Sequence, residues 1–226
     1  MSLRDGLVSP LNIPAWRTFA LRDALADLTG LPTFLDNDAK ALARAEGWKG
    51  AARGRRDYVA MVVSTGVGGG IVLDGRLLGG RSGNAGHIGH VVVEPDGRPC
   101  VCGGRGCLEA EASGTAIAAL TGAPANEAPP EIVVRTGVMV GRAVASVANL
   151  LDLPLAVVAG SVALGFGAPF FDAAQQEVRA RAGLAFVADA AVVPAGLGAE
   201  GPLVGAAAVG WTGIGEPAVE AAPRSR

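Results

Sequence analysis

Three cysteines, Cys100, Cys102 and Cys107, fall within eight residues, and the 226-residue chain has no others. An odd count argues against a disulfide framework, and the short, polar N-terminus lacks the apolar core of an export signal. Thiolate ligation of a metal in a reducing, cytoplasmic compartment fits both observations. His90 precedes the cluster, and three thiolates with one imidazole suit a tetrahedral Zn²⁺. Gly103, Gly104 and Gly106 let the intervening backbone turn tightly enough to bring the third sulfur round. With His90, Cys100, Cys102 and Cys107 all bound, no exchangeable position remains. The expected zinc is therefore structural, about one per chain. The plainer reading is three buried thiols and an unrelated histidine. Core packing rarely spaces cysteines this closely among glycines.

Half the residues are hydrophobic and 18% are charged, so a chain of this length can bury a substantial core without relying on the metal. The net charge is −2 and the basic residues are scattered. No basic stripe tracks a phosphate backbone, which disfavours nucleic-acid binding. Arg53, Arg55 and Arg56 form a short basic cluster that suits a solvated loop. Residues 133–151 are nearly apolar, but Arg135 and Arg142 interrupt them, so a buried central helix is expected and not a membrane span.

Apolar spacing predicts helices over 20–28, 38–52, 131–151, 170–182 and 203–209, with further helix from 108 onward. Strands are predicted at 32–35, 58–63, 71–73, 76–78, 88–93, 155–159 and 191–193, with a hairpin at Asp74-Gly75. Hairpins early and strand–helix alternation late give an α/β fold with a mixed sheet flanked by helices. Three parts are expected: residues 1–56 as a remnant of a small N-terminal lobe, residues 57–213 as a large lobe with the zinc loop, and a disordered tail over 214–226.

Three further features carry chemistry. Ser64-Thr65-Gly66-Val67-Gly68-Gly69-Gly70 lies between two strands, which argues against a Rossmann or Walker loop. Its backbone N–H groups and the Thr65 hydroxyl can still meet phosphate oxygens, although a plain tight turn has the same composition. Asn37 and Asp38 open a helix, where the dipole keeps a carboxylate ionised. Such a carboxylate can accept a hydroxyl proton or simply cap the helix. Glu109 follows Cys107, so a metal-stiffened loop would fix its direction.

Together these residues resemble the ROK family of repressors and sugar kinases. The resemblance rests on Asn12-Ile-Pro-Ala-Trp16, Leu35-Asp-Asn-Asp-Ala-Lys40, residues 64–70, Gly86-His-Ile-Gly-His90 and the block from Cys100 to Glu109; it is looser beyond residue 115. It implies an actin-like ATPase (ribonuclease H-like) fold, two lobes around a cleft. It also implies Asp38 as catalytic base and Asn37, His90 and Glu109 as sugar ligands, with His90 shared with zinc. Thr65, Gly66, Gly68 and Gly69 become a phosphate-binding turn. ATP with Mg²⁺ is the implied donor, and a hexose, phosphorylated at its 6-hydroxyl, the acceptor of a homodimeric enzyme. His87 stands where many members have a Glu contacting the sugar, and an imidazole there can still hydrogen-bond a hydroxyl. Lys40 and Ser161 replace a common Asn and Gly. The family's Asp-x-Gly-Gly-Thr motif does not occur, so the N-terminal lobe is expected to be incomplete. The rival expectation is the sugar-sensing domain of a ROK-type transcriptional repressor, which would share the zinc loop and sugar site. Asn37-Asp38 and the glycine run favour catalysis.

Overall fold

β-Branched and aliphatic residues crowd the middle of the chain, and they build the sheet. The computed structural model describes residues 2, 3, 5–9, 13 and 15–215. A two-stranded ribbon, β1 (Leu7–Val8) against β2 (Phe19–Ala20), leads into α1 (Leu21–Thr29), which Gly30 ends in the left-handed conformation. α2 (Asp38–Lys49) precedes three antiparallel strands: β3 (Tyr58–Val63), β4 (Val67–Leu73) and β5 (Arg76–Leu77). The cysteine loop runs into α3 (Leu108–Ala112) and α4 (Gly114–Thr121), and the long α5 spans Pro130–Leu151. Then come β6 (Leu155–Ala159), α6 (Ser161–Phe166), α7 (Ala168–Arg181), β7 (Ala191–Pro194) and α8 (Gly201–Gly213).

The main sheet has the order β5-β4-β3-β6-β7, with β6 and β7 parallel to β3. Side chains alternate across a strand, and β3 uses both faces. Val59, Met61 and Val63 point into a core shared with α5, α6 and α7. Tyr58 and Ala60 point into a second core with Ala43 of α2 and Leu155 and Val157 of β6. Helices therefore cover both faces, as expected of a mixed α/β sheet. The buried Tyr58 hydroxyl donates to the Ala43 carbonyl at 2.7 Å.

The expected boundary near 53–57 falls in the turn between α2 and β3. The two sides are tied together across it. Glu46 of α2 is fully buried, and its carboxylate accepts hydrogen bonds from the N–H groups of Ala51, Gly196 and Leu197 at 2.7, 3.0 and 3.2 Å. A buried carboxylate is tolerated when donors surround it in this way.

Some elements differ from the sequence expectation. Residues 32–35 form no regular element and pair with no described strand. The strand expected over 88–93 is instead a 3₁₀ turn, Ile88–His90, followed by a single bridge from Val92 to Cys107. The cysteine loop uses the hydrogen bonds a ladder would need: Val93 N–H donates to Gly106 and Leu108 N–H to Val91. The glycine run is strand from Val67 onward, and α6 was not expected. Most of the expected tail, residues 216–226, lies outside the described residues. No described helix is long and apolar enough to cross a membrane.

Candidate functional site

β4 is where the separate sequence motifs meet. Gly68 and Gly70 face α2: a Cβ on Gly68 would sit 2.9 Å from Ala39 Cβ, and one on Gly70 2.8 Å from Ala43 Cβ. Gly69 faces the other way, where a Cβ would lie 2.8 Å from Ile88 Cγ2. A strand pressed between a helix and a 3₁₀ turn at this spacing has no room for side chains, which explains the glycines on packing grounds. Gly68 and Gly69 pair with Val62 and Met61 of β3. Thr65 and Gly66 remain in the turn that joins the strands.

The metal loop reaches the same strand. Glu109 Oε2 accepts the Val67 N–H at 2.9 Å, and a Cβ on Gly66 would meet that same oxygen. Ala39, which follows Asp38, rests on Gly68. The start of α2 and Glu109, far apart in sequence, thus meet one short stretch of backbone. Asn37 caps α2: its Oδ1 accepts the N–H groups of Ala39 (3.0 Å) and Lys40 (3.3 Å). Asp38 is exposed, and its Oδ1 accepts the Ala39 N–H at 2.8 Å.

The donor atoms of His90, Cys100, Cys102 and Cys107 all lie within 4.8 Å of one another. His90 Nδ1 is 3.7 Å from Cys100 Sγ, and Cys102 Sγ is 3.7 Å from Cys107 Sγ. A tetrahedral ion about 2.3 Å from each sulfur sets its sulfurs about 3.8 Å apart, close to the Cys102–Cys107 spacing, so the group could hold a metal ion. Burial pushes the Cys107 thiol up to about 12, whereas the Gly104 backbone N–H, with help from the neighbouring sulfurs, lowers Cys102. Gly106 knots the loop at φ +66°, and a Cβ there would run into the Glu94 carbonyl. Glu111, also buried, braces it: Oε1 accepts the Arg98 N–H at 2.6 Å and Oε2 pairs with Arg135 of α5 at 2.5 Å.

His87 is exposed at the edge of this region, its ring stacked on His90 with centroids 6.3 Å apart. His87 Nδ1 lies 2.8 Å from the Asn84 carbonyl. A carbonyl can only accept, so Nδ1 carries the proton in this contact.

Beyond Thr65 a cleft of about 840 Å³ opens, lined by Thr115, Asn126, Ser161, Val162 and Phe166 among others. It lies at the carboxyl ends of the parallel strands β3 and β6, where open α/β sheets bind ligands. Ser64 and Ser161 hydroxyls, 2.9 Å apart, join the two strand ends. The Thr115 hydroxyl donates to the Thr65 carbonyl at 2.9 Å. Sequence patterns pointed to Thr65 but not to Thr115, Asn126 or Phe166, which lie in helical segments with no motif. Of the stretch 12–16, Asn12 and Pro14 lie outside the described residues; Trp16 stacks on Phe19 at 4.7 Å.

Residues 3–211 match the model of the ROK family. N-acetylmannosamine kinase of Citrobacter koseri is 45% identical over 183 residues, 73% of this chain and 63% of that protein. The chain therefore spans less than two-thirds of that curated relative. The ROK hexokinase of Thermus thermophilus superposes with a TM-score of 0.84 at 35% identity, covering 95% of this chain and 76% of that one. A ROK glucokinase from Streptomyces griseus, solved with glucose and AMPPNP, has a TM-score of 0.73 at 31% identity over 85% of this chain and 72% of that one. A ROK transcriptional regulator, homologous to the E. coli MLC protein, has a TM-score of 0.77 at 29% identity over 92% of this chain and 59% of its own.

Proposed function

The chain belongs to the ROK family, and from that premise we propose that it carries the sugar site and nucleotide cleft of a kinase that phosphorylates a hexose. The observation that carries this is that Glu109, bonded to the Val67 N–H, and Ala39, the neighbour of Asp38, both meet the backbone at residues 66–68, beside a cleft large enough for a nucleotide. The structural relatives share the actin-like ATPase fold, and the glucokinase among them binds glucose and an ATP analogue.

In this reading Asn37, His87, His90 and Glu109 hold the acceptor sugar. Asp38 orients the reacting hydroxyl, the 6-hydroxyl in the working hypothesis, and takes its proton as the oxygen bonds to the γ-phosphorus of ATP and the bond to the β,γ-bridging oxygen breaks, releasing ADP. The turn at Thr65 and Gly66 faces the transferred phosphate, with Gly68 and Gly69 behind it. The base of the nucleotide lies along Val162 and Phe166. Mg²⁺ bound with ATP supplies charge neutralisation at the phosphates. His90, Cys100, Cys102 and Cys107 would hold a structural Zn²⁺, and the donor spacing fits it. A homodimer, a cytoplasmic location and a 1–56/57–213 division belong to the same proposal.

The test is a coupled assay with ATP and Mg²⁺ over a hexose panel that includes glucose and N-acetylmannosamine. Asp38→Asn is expected to lower kcat by about a hundredfold or more, with the fold intact by circular dichroism. Near-normal turnover in that variant rejects Asp38 as base. Sugar binding without any turnover in the unaltered protein favours the sugar-sensing reading instead.

A further inference from the structure

The chain has two lysines among its 19 basic residues, Lys40 and Lys49, and Lys40 is buried to 3% exposure. Lysine is almost never fully buried unless it is paired. The Lys40 ammonium donates to the Gly83 carbonyl at 2.8 Å and lies 3.7 Å from Asp36 Oδ1, with both side chains under 10% exposed. Asp36 is held in turn by Arg44 at 3.4 Å, and its Oδ1 accepts the Asn37 N–H at 2.9 Å. Gly83 belongs to the loop over residues 79–87, which closes on itself through Ala85 N–H to the Gly79 carbonyl and ends at His87. Among the described residues, Lys40 is the only side chain from outside this loop that hydrogen-bonds to it.

We propose that Lys40 is a positioning residue: anchored by Asp36, it straps the 79–87 loop to the start of α2 and so sets where His87, held through Asn84, stands relative to the helix that begins at Asp38. The loop is rich in glycine and exposed polar residues; its end is held where the His87 carbonyl accepts the His90 N–H and Gly86 lies against Gly69 and Gly70 of β4, while Ser82 and Asn84 bond to each other. One charge-assisted bond in a water-poor setting ties the middle of the loop, at Gly83, to α2. The strap begins two residues beyond Asp38 and ends one residue before Asn84, whose carbonyl fixes the His87 ring. It sets the distance between the reacting hydroxyl's acceptor group and a sugar contact on another element. This inference rests on the sugar-site reading above.

Lys40→Met keeps the length and apolar stem while removing the ammonium. Amide hydrogen exchange over residues 80–87 is expected to rise about tenfold or more, with β3 and β6 unchanged. KM for the hexose is expected to rise about tenfold while kcat stays within about twofold, the mark of lost acceptor positioning. Unchanged exchange in the loop overturns the strap, and loss of kcat at constant KM overturns the assignment to sugar positioning. Should Lys40→Met not fold, Lys40→Gln, which keeps a donor without the charge, is read by the same two measurements. If the unaltered protein neither binds nor phosphorylates any hexose, the sugar-site reading fails, while the exchange result still decides whether Lys40 holds the loop.

Discussion

One oxygen of Glu109 is spent on the Val67 N–H, and the other meets no protein donor among the described residues. The same carboxylate can therefore brace the turn and still meet a ligand. Glu109→Gln keeps an acceptor for that N–H and is expected to unfold in urea within about 0.5 kcal/mol of the parent, whereas Glu109→Ala strands the amide and costs about 1–2 kcal/mol. Equal stability of the two variants would show that the bond is not needed. The grouping of His90, Cys100, Cys102 and Cys107 was legible in the sequence because few residue types ligate metals and these stand close together. Glu46, Glu111 and Lys40 were not. Each is buried by partners far along the chain, Gly196 for Glu46 and Gly83 for Lys40, and no local pattern marks a charge that such distant groups will satisfy.

The β4 run shows how composition can mislead about an element. Its glycines suggested a turn, yet they form a strand because α2 and the 3₁₀ turn approach too closely for side chains. Gly70→Ala would press a methyl to within 3.0 Å of the Lys40 Cα, so backbone must move, at a cost of about 2–3 kcal/mol in urea unfolding. Gly79→Ala, where nothing lies within 4 Å, is the control and is expected to be nearly neutral. β3, β6 and α5 were predictable because continuous apolar runs or helical periodicity specify them without help from elsewhere. Ile88 and residues 91–93 looked like a strand for the same reason. Only the folded cysteine loop shows where their hydrogen bonds go.

Across the whole molecule, two tethers are expected to secure the α5 side of the sheet. The first is the zinc proposed for His90, Cys100, Cys102 and Cys107: stripping the zinc-loaded protein with a chelator is expected to lower Tm by about 5–10 °C, and a purified protein without zinc would reject the metal assignment. The second tether is Glu177 of α7. It accepts from Arg142 Nε at 3.1 Å and also pairs with Arg181. Partial burial pushes its carboxyl upward, but the hydrogen bonds from Arg181 and Arg142 prevail and hold it below its ordinary value of 4.5. A carboxyl lowered in the folded state adds stability above its unfolded value and loses it as the pH falls through the folded one. Glu177→Gln should therefore cost about 1 kcal/mol at neutral pH, and the gap should close in titrations below about pH 4.5. A constant gap at every pH would rule that out. The seam between α2 and β4 has a mechanical consequence. Alanine and glycine have no side-chain torsions to adjust, so the contact between Ala39, Ala43, Gly68 and Gly70 cannot flex. The helix that begins at Asp38 and the strand that follows the Thr65–Gly66 turn therefore travel as one piece.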